Sequence, residues 1–287
     1  MTYDTPPKNL SSLRQRLTNI EGDEESVNRR TVGMALVVVG QMLPAGAIKG
    51  GSAMALRYGT ATRFTKDLDA ARAGTMADFT GELEERLRDG WARFTGRLIE
   101  RTAPKPVGVP PAYIMQPFDV KLDYLGKPWC TVRFELGHNE IGDADEPEAA
   151  LADDLADLFE SVGLPRPEPV SVMRSDHQIA QKLHAATGAD SERAHDLIDL
   201  QLLEREEDLD LDLVRETCTR LFTYRAGHEW PPLVVVNDDW DTLYDASAAG
   251  LEVLPDVVAA AEWANDFIRR IDAGTTPTHL PSQDASE

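Results

Sequence analysis

The stretch Lys49-Gly-Gly-Ser-Ala-Met-Ala-Leu-Arg-Tyr-Gly-Thr-Ala-Thr-Arg-Phe-Thr-Lys-Asp-Leu-Asp69 decides the fold of this chain. A Gly-Gly-Ser turn begins a short amphipathic helix, and a strand with two aspartates follows after a loop. A glycine turn that leads into a helix offers backbone N–H groups and the positive end of the helix dipole to an anion. The sequence therefore predicts that Gly50, Gly51 and Ser52 bind a phosphate group.

Two carboxylates stand two residues apart on the predicted strand. Positions i and i+2 of a strand face the same side, so Asp67 and Asp69 point outward while Leu68 points into the core. Carboxylate oxygens are the ligands that Mg²⁺ and Mn²⁺ prefer. A phosphate-binding turn beside a metal-binding pair predicts transfer of a nucleotidyl group from a nucleoside triphosphate (NTP). Lys66, directly before Asp67, is a further candidate for nucleotide binding.

Composition limits the class of protein. The chain has 287 residues, 42% of them hydrophobic, enough for one large or two small domains. Its cysteines, Cys130 and Cys218, lie far apart without metal-site spacing, which indicates free thiols in a reducing cytoplasm. The longest apolar run, Met34 to Val39, is too short to cross a bilayer and predicts a buried helix segment. We therefore expect a cytoplasmic protein with no membrane partner.

Charge is unevenly distributed along the chain. The formal net charge of -21 argues against a nucleic-acid partner, and from Glu140 to Glu160 there are nine acids and no base. Between Ser26 and Gly74, however, seven residues are basic and only Asp67 and Asp69 are acidic. Any polyanion should therefore bind at the N-terminal side, while the acidic runs are interpreted as solvated surface. The candidates for RNA contact are Arg29, Arg30, Arg57, Arg63 and Arg72.

Hydrophobic periodicity predicts an α/β (α+β) fold, with a mixed-sheet core followed by a helical C-terminal half. The predicted helices are 9–20, 24–42, 52–58, 75–89, 177–187, 192–204, 209–224 and 254–271, and the predicted strands are 45–49, 67–71, 91–100, 113–124 and 129–136. The acidic segment 139–148 is predicted to be a loop. A proline-rich segment near residue 165 predicts a core of residues 1–164, a helical domain of residues 165–273 and a flexible tail of residues 274–287.

The predicted helices of the second half also carry charged residues at helical spacing. Lys182 borders an apolar stripe, either as a lysine whose amine reaches solvent or as a cation that binds phosphates. Arg193, Asp196 and Asp199 follow one another at i+3 spacing, which also suits a local series of ion pairs. Apolar neighbours surround Asp199, so its carboxylate needs a partner such as Lys182.

Four motifs in this order resemble those of the AbiEii-type nucleotidyltransferase toxins, and among these the mycobacterial MenT toxins. They are Lys49-Gly-Gly-Ser52, Thr65-Lys-Asp-Leu-Asp69, Gln178-Ile-Ala-Gln-Lys-Leu-His-Ala185 and Arg193-Ala-His-Asp-Leu-Ile-Asp-Leu200. The resemblance implies a polymerase-β-like core in the toxin of a bacterial toxin–antitoxin system, with a cognate antitoxin as partner. It also implies transfer of a nucleotide, pyrimidines and CTP favoured, to the 3′ acceptor end of tRNA, which blocks aminoacylation.

The resemblance assigns roles to particular residues. Ser52 corresponds to a phosphate-contacting serine, Asp67 and Asp69 to the metal carboxylates, and Lys182 and Asp199 to a later catalytic pair, with Lys182 also placed at the nucleotide. Glu135 corresponds to the third metal carboxylate by its strand position alone. Thr65 lies two residues before Asp67, so its phosphorylation would place negative charge beside the triphosphate, which makes it a candidate for regulation.

Two other functions remain open at this point. One is a nucleotidyltransferase that modifies a hydroxyl group of a small molecule or a protein, which the overall acidity favours. The other is a catalytically inactive relative that acts by binding a partner. The presence of Asp67, Asp69 and Lys182 argues against the inactive relative.

Overall fold

A seven-stranded mixed sheet is the framework of the first half of the chain. The computed structural model describes residues 2–20, 24–104 and 114–274, and the chain divides into two units, Met1–Arg174 and Ser175–Glu287. The strands are β1 (Gly46–Lys49), β2 (Asp67–Arg72), β3 (Phe94–Glu100), β4 (Gln116–Tyr124), β5 (Lys127–Gly137), β6 (Glu148–Ala150) and β7 (Val170–Val172). Their order is β3-β4-β5-β2-β1-β7-β6, with β2 parallel to β5 and β1 parallel to β7.

Two of the described helices of the first unit begin at residues whose side chains cap them. The described helices are α1 (Leu10–Asn19), α2 (Glu24–Gln41), α3 (Gly50–Tyr58), α4 (Met76–Asp89) and α5 (Asp153–Ser161). The side chains of Asn9 and Thr75 accept backbone N–H groups at the starts of α1 and α4. The helix predicted from Ser52 in fact begins two residues earlier, at Gly50, because the glycine turn itself forms its first residues.

The sheet has a buried face and a polar face. Leu68, Val120 and Phe134 alternate with polar neighbours and are buried, and the run Met34 to Val39 of α2 is wholly buried with them in the core. The buried-helix prediction for that run is confirmed. β4 and β5 form the predicted antiparallel hairpin through Leu125 and Gly126, both at positive φ, as a two-residue hairpin turn requires.

Some elements differ from the sequence-based expectation. The predicted strand 91–100 begins only at Phe94, and the predicted loop 139–148 ends in β6, which begins at Glu148. β6, β7 and α5 were not predicted, since three-residue strands are too short to show alternation. β7 pairs with β1 and β6, so the first unit extends to Arg174 rather than ending near residue 164. The predicted strand start at Tyr113 lies outside the described residues.

The second unit is helical throughout its described part. Its helices are α6 (Ser175–Ala186), α7 (His195–Glu206), α8 (Leu211–Arg225), α9 (Trp240–Ala248) and α10 (Val257–Ala273). α7 begins three residues after the expected start at Glu192; the Ser191 hydroxyl accepts the backbone N–H of Arg193 at 3.2 Å and donates to the carbonyl of Ala185 at 2.8 Å in the turn before the helix. The mixed-sheet core and helical second half are thus confirmed. Among the described helices, none is long and apolar enough to cross a membrane.

Candidate active site

Strand register brings charged side chains into one row across the polar face. Asp69 on β2 lies opposite Lys49 on β1 and opposite Glu135 on β5. Asp67 stands two residues earlier on β2, so its side chain shares the face of Asp69, while Leu68 between them is completely buried. The predicted outward orientation of both aspartates is confirmed. Glu135, placed by strand position alone, is the direct cross-strand neighbour of Asp69.

The hydroxyl of Ser52 connects the start of α3 to β2. It is buried, donates to the backbone carbonyl of Lys49 at 2.9 Å and accepts the backbone N–H of Asp69 at 3.1 Å. In this structure the Ser52 side chain therefore fixes the helix start beside the carboxylate row. A phosphate at this position would meet the backbone N–H groups of the first turn of α3.

Both glycines of the turn are required by close approaches. Gly50 has φ +62°, and a Cβ there would lie 2.7 Å from Oδ2 of Asp69. A Cβ on Gly51 would lie 3.0 Å from Nη2 of Arg63 and 3.4 Å from Thr65. The absence of both side chains lets an aspartate, an arginine and a threonine reach the helix N-terminus. A cation and a hydroxyl beside exposed N–H groups suit an anionic ligand.

The loop before β2 carries the remaining predicted nucleotide residues. Oγ1 of Thr65 donates to the backbone carbonyl of Asp67 at 3.4 Å. Lys66 is exposed, and its Nζ lies 5.7 Å from the ring centroid of Phe64. Arg29 contacts the same ring, at 5.5 Å, and donates to the carbonyl of Thr62 at 3.0 Å. Arg29 therefore holds the loop on which Arg63 and Thr65 stand.

The donor set of the row fits a hard divalent cation. Asp67 and Glu135 are exposed and Asp69 is half-buried, so their carboxylates can reach a ligand from solvent. Within the described residues, no three carboxylate, histidine or cysteine side chains already surround a single point. Mg²⁺ usually binds one or two carboxylates and completes its shell with water and substrate phosphates, so the aspartates of β2 are donors of the type that it binds.

The other candidate arginines for RNA are engaged within the protein. Arg30 donates to the carbonyl of Ile20 at 3.1 Å, at the end of α1, and Arg72 donates to the carbonyl of Gly137 at 2.7 Å. The side chain of Arg57 is only 6% exposed and forms an ion pair with Glu148. Arg57 is therefore a structural residue here, and we leave it out of any RNA contact set.

A buried charge cluster occupies the second unit, between α6 and α7. Nζ of Lys182 donates to Oδ2 of Asp199 at 2.5 Å and to Oδ1 of Asp196 at 2.9 Å, and all three side chains are buried. Arg193 adds a bond to Oδ2 of Asp196 at 2.8 Å. The predicted partnership of Lys182 and Asp199 is thus confirmed as a contact. Lys182 is a buried cation, and its amine does not extend to solvent.

The pKa of one carboxyl group in this cluster is strongly shifted. Burial alone would raise the pKa of Asp196. The charge of Lys182, followed by those of Arg193 and His195, outweighs burial and holds the pKa of Asp196 well below its ordinary value. Asp196 is therefore ionised at neutral pH and compensates the buried ammonium.

Sequence reasoning assigned no role to two charged residues of these sites. Lys49 stands in the row with Asp69 and Glu135, and Asp196 is the second carboxylate on Lys182. The available signal for Lys49 was its position as the last residue of a strand that leads into a glycine turn. For Asp196 the signal was its i+3 spacing to Asp199, but spacing alone does not show which cation lies opposite.

A helix N-terminus set against outward carboxylates on a mixed sheet suits nucleotidyl transfer from a metal-bound triphosphate. Residues 41–285 match the family model for the nucleotidyl transferase AbiEii toxin of type IV toxin–antitoxin (TA) systems. Because this match spans most of the chain, the protein belongs to the AbiEii nucleotidyltransferase toxin family.

Comparison with solved structures finds a similar chain in MenT4, a nucleotidyltransferase toxin of Mycobacterium tuberculosis. The two share 18% sequence identity, the alignment covers 92% of this chain and 98% of MenT4, and the TM-score is 0.49. Comparison with curated protein sequences finds no match.

Proposed function

We propose that this toxin transfers a nucleoside monophosphate from an NTP, with CTP favoured, to the 3′ end of tRNA and so blocks aminoacylation in the cytoplasm. The single observation that carries the proposal is the in-register row of Asp69 and Glu135 beside the N-terminus of α3. That arrangement supports a phosphate site at the helix and a metal site on the adjacent strands. The tRNA acceptor, the pyrimidine preference and the cognate antitoxin come from the family resemblance.

The reaction requires one bond to form and one to break. The oxygen of the acceptor hydroxyl bonds to the α-phosphorus, the bond from that phosphorus to the bridging oxygen breaks, and pyrophosphate leaves while the hydroxyl proton passes to water. Asp67, Asp69 and Glu135 would hold Mg²⁺ or Mn²⁺, which supplies charge stabilisation when bound. The N–H groups at Gly51 and Ser52, with Arg63 and Lys66, would hold the triphosphate.

Lys182 and Asp199 remain the proposed catalytic pair of the second unit. Lys182 has three N–H donors, and two of them go to Asp199 and Asp196. In this proposal, the third N–H of Lys182 donates to a phosphate oxygen. Asp199 then orients the ammonium. A buried lysine that already forms two hydrogen bonds loses little side-chain entropy when it binds a ligand.

We propose that RNA docks along the polar face of the sheet. Arg97 pairs with Lys121, Lys121 pairs with Thr131, and Arg133 stands two residues further along β5, on the face of Glu135. Arg97 and Arg133 are exposed, Lys121 is half-buried, and the side chains of these three residues form no hydrogen bond or ion pair with another described residue. Arg29, Arg30, Arg63 and Arg72 stay in the proposed contact set through their remaining N–H groups.

Salt dependence tests this docking surface. Each phosphate contact contributes roughly -0.7 to -0.9 to the slope of log affinity against log salt, so a handful of contacts gives a slope of about -3 to -5. Changing Lys121→Gln with Arg133→Gln should raise the KM for RNA and reduce that slope by about 2, with little change in the KM for NTP. The control, Lys8→Gln with Arg88→Gln, removes the same charge from exposed positions elsewhere in the unit. Equal effects of the two pairs would contradict this docking surface.

The experiment for the proposed function uses each of the four labelled NTPs with Mg²⁺ and total tRNA. Label in a tRNA band, strongest with CTP, is the expected result, and the extended tRNA should no longer accept its amino acid. Label that enters no RNA under any of the four conditions would overturn the RNA acceptor. Nearest-neighbour digestion of the product would show whether the nucleotide is attached at the 3′ end.

One observation favours the small-molecule alternative. A cavity of about 640 Å³ is lined by Arg29, Arg63, Phe64 and Thr65, with α2 and α5 forming other parts of its wall. This volume lies in the range of sites for small organic ligands. Because Arg63 and Thr65 also contact the glycine turn, a small hydroxyl compound there would lie near the proposed triphosphate site. Transfer of label to a low-molecular-weight product from a cell extract, with none to RNA, would favour this alternative.

A further inference from the structure

A buried lysine at the end of β1 has no assigned task. Lys49 is 9% exposed, yet its Nζ forms no hydrogen bond and no ion pair with any of the described residues. The other buried lysine described above, Lys182, has two carboxylate partners. An amine on the polar face of the sheet that forms no hydrogen bond or ion pair with a described residue keeps its three N–H donors and its charge for a ligand, which suits an anion.

The position of the amine places it on the polar face of the sheet. Lys49 lies opposite Asp69, and a Cβ on Gly137 would lie 3.2 Å from Nζ of Lys49. Gly137 stands on β5, two residues after Glu135 and opposite Ala71 of β2. The side chain therefore crosses β2, and its amine lies one residue pair beyond the row of Asp69 and Glu135. The absence of a side chain at Gly137 leaves room for it.

We infer that Lys49 is a phosphate-binding residue whose ligand is the triphosphate of the NTP. This inference rests on the proposed function and adds a residue to it. The helix N-terminus beside Ser52 offers N–H groups to one phosphate, and the Lys49 amine offers a full positive charge from the adjacent strand. A metal-bound triphosphate still carries net negative charge, which the Lys49 ammonium would balance.

The test measures CTP binding without an acceptor, by calorimetry in the presence of Mg²⁺. Lys49→Met should weaken binding by about 10- to 100-fold, as expected for a hydrogen bond between charged groups. Its melting temperature without nucleotide should be unchanged or higher, because the amine of Lys49 forms no hydrogen bond or ion pair with a described residue that the change would break. The control is Lys127→Met, an exposed lysine at the start of β5 that belongs to none of the proposed sites, which should bind CTP like the wild type.

A second variant keeps the charge and moves it. Gly137→Ala adds a methyl group 3.2 Å from Nζ of Lys49, so the amine must shift, and CTP binding should weaken to a smaller extent than in Lys49→Met. If Lys49→Met binds CTP as tightly as the wild type, the inference is overturned. If Lys49→Met does not fold, wild-type CTP affinity in Gly137→Ala overturns it instead.

The outcomes separate this inference from the proposed function. A wild-type protein that binds CTP through Lys49 but labels no RNA would contradict the RNA acceptor alone. A wild-type protein that labels RNA, with a Lys49→Met variant that binds CTP equally well, would contradict the role of Lys49 alone. Absence of NTP binding by the wild type would overturn both.

Discussion

The hydroxyl of Ser52 accepts the backbone N–H of Asp69 at 3.1 Å and so joins the proposed phosphate site to the proposed metal site. The same hydroxyl donates to the carbonyl of Lys49 at 2.9 Å, at the residue before the glycine turn. One buried side chain therefore fixes the spacing between the helix N-terminus and the carboxylate row. Catalysis that depends on positioning two charged groups gains from such a rigid connection.

Removal of this hydroxyl should affect stability and activity together. In Ser52→Ala the N–H of Asp69 loses its hydrogen-bond acceptor, which costs about 1–3 kcal/mol of folding free energy. Transfer should also slow, since Asp69 is no longer held. Urea denaturation and a transfer assay measure the two effects, and Ser11→Ala, at an exposed position of α1, serves as the control. A Ser52→Ala protein as stable as the control would contradict the structural role of the hydroxyl.

Loss of the buried cation in the second unit should destabilise the fold. Lys182→Met leaves Asp196 and Asp199 buried without their main counter-charge, and breaking such a cluster costs about 3–5 kcal/mol. The sequence alone offered only two interpretations of Lys182, a lysine whose amine reaches solvent or a phosphate-binding cation, and neither of them includes this structural role. Lys127→Met, an exposed lysine in the first unit, should have no such effect.

The catalytic role of Lys182 needs a separate measurement. Turnover per folded molecule, taken well below the melting temperature of Lys182→Met, should also fall if the lysine contacts phosphate. Unchanged turnover per folded molecule would leave the lysine with a structural role only. The melting curve and the turnover therefore test two distinct functions of one residue.

Acid should weaken the same cluster. The pKa of Asp196 is lower in the folded protein than in the unfolded chain, so its contribution to stability is fully present above the ordinary aspartate pKa of about 3.9. That contribution is lost as the pH falls from this value towards the depressed folded-state pKa. Comparison of Asp196→Asn with the wild type should show a stability difference at pH 6 that shrinks below about pH 4. A difference independent of pH would contradict the depressed pKa.

Charge at Thr65 should inhibit the enzyme. Thr65 lies close to the Gly51 position, and a phosphate on its hydroxyl adds about -1.5 to -2 charges beside the proposed triphosphate site. Thr65→Glu should therefore raise the KM for NTP, whereas Thr65→Val, of similar shape and neutral, should retain most activity. Mass spectrometry of toxin expressed with its antitoxin checks whether Thr65 is modified. Loss of activity with an unmodified Thr65 would count against this route of regulation.

The sequence was sufficient for the parts of the fold that have regular periodicity. Alternation around Leu68 correctly predicted the orientation of Asp67 and Asp69, and the apolar run of α2 correctly predicted a buried helix. β6 and β7 are too short to show a period, and their membership in the sheet depends on pairing with β1, which lies over a hundred residues earlier in the chain. Such pairing is a long-range property that local patterns do not contain.

The partners of charged residues were the least predictable part of the sites. Arg57 stands among basic residues in the sequence, yet the fold buries it against Glu148, and Lys182 gains Asp196 as well as Asp199. Lys49 differs from both because its amine forms no ion pair with a described residue, although Asp69 lies opposite it on β2. Burial and pairing depend on which strands and helices become neighbours, so residue type and spacing could not separate these three cases.

The most direct test of the central claim compares CTP labelled at the α-phosphate with CTP labelled at the γ-phosphate, using wild-type protein, Asp69→Asn and the control Asp119→Asn. Asp119 lies on the same face, in the row of Asp67 and Arg133, and forms an ion pair with Arg101. Nucleotidyl transfer predicts that the α-label enters tRNA and that the γ-label leaves in pyrophosphate. Asp69→Asn should transfer at least about 100-fold less label than Asp119→Asn, which is roughly the effect of removing one key electrostatic group from an active site. Transfer of the γ-label, or full activity of Asp69→Asn, would contradict the account.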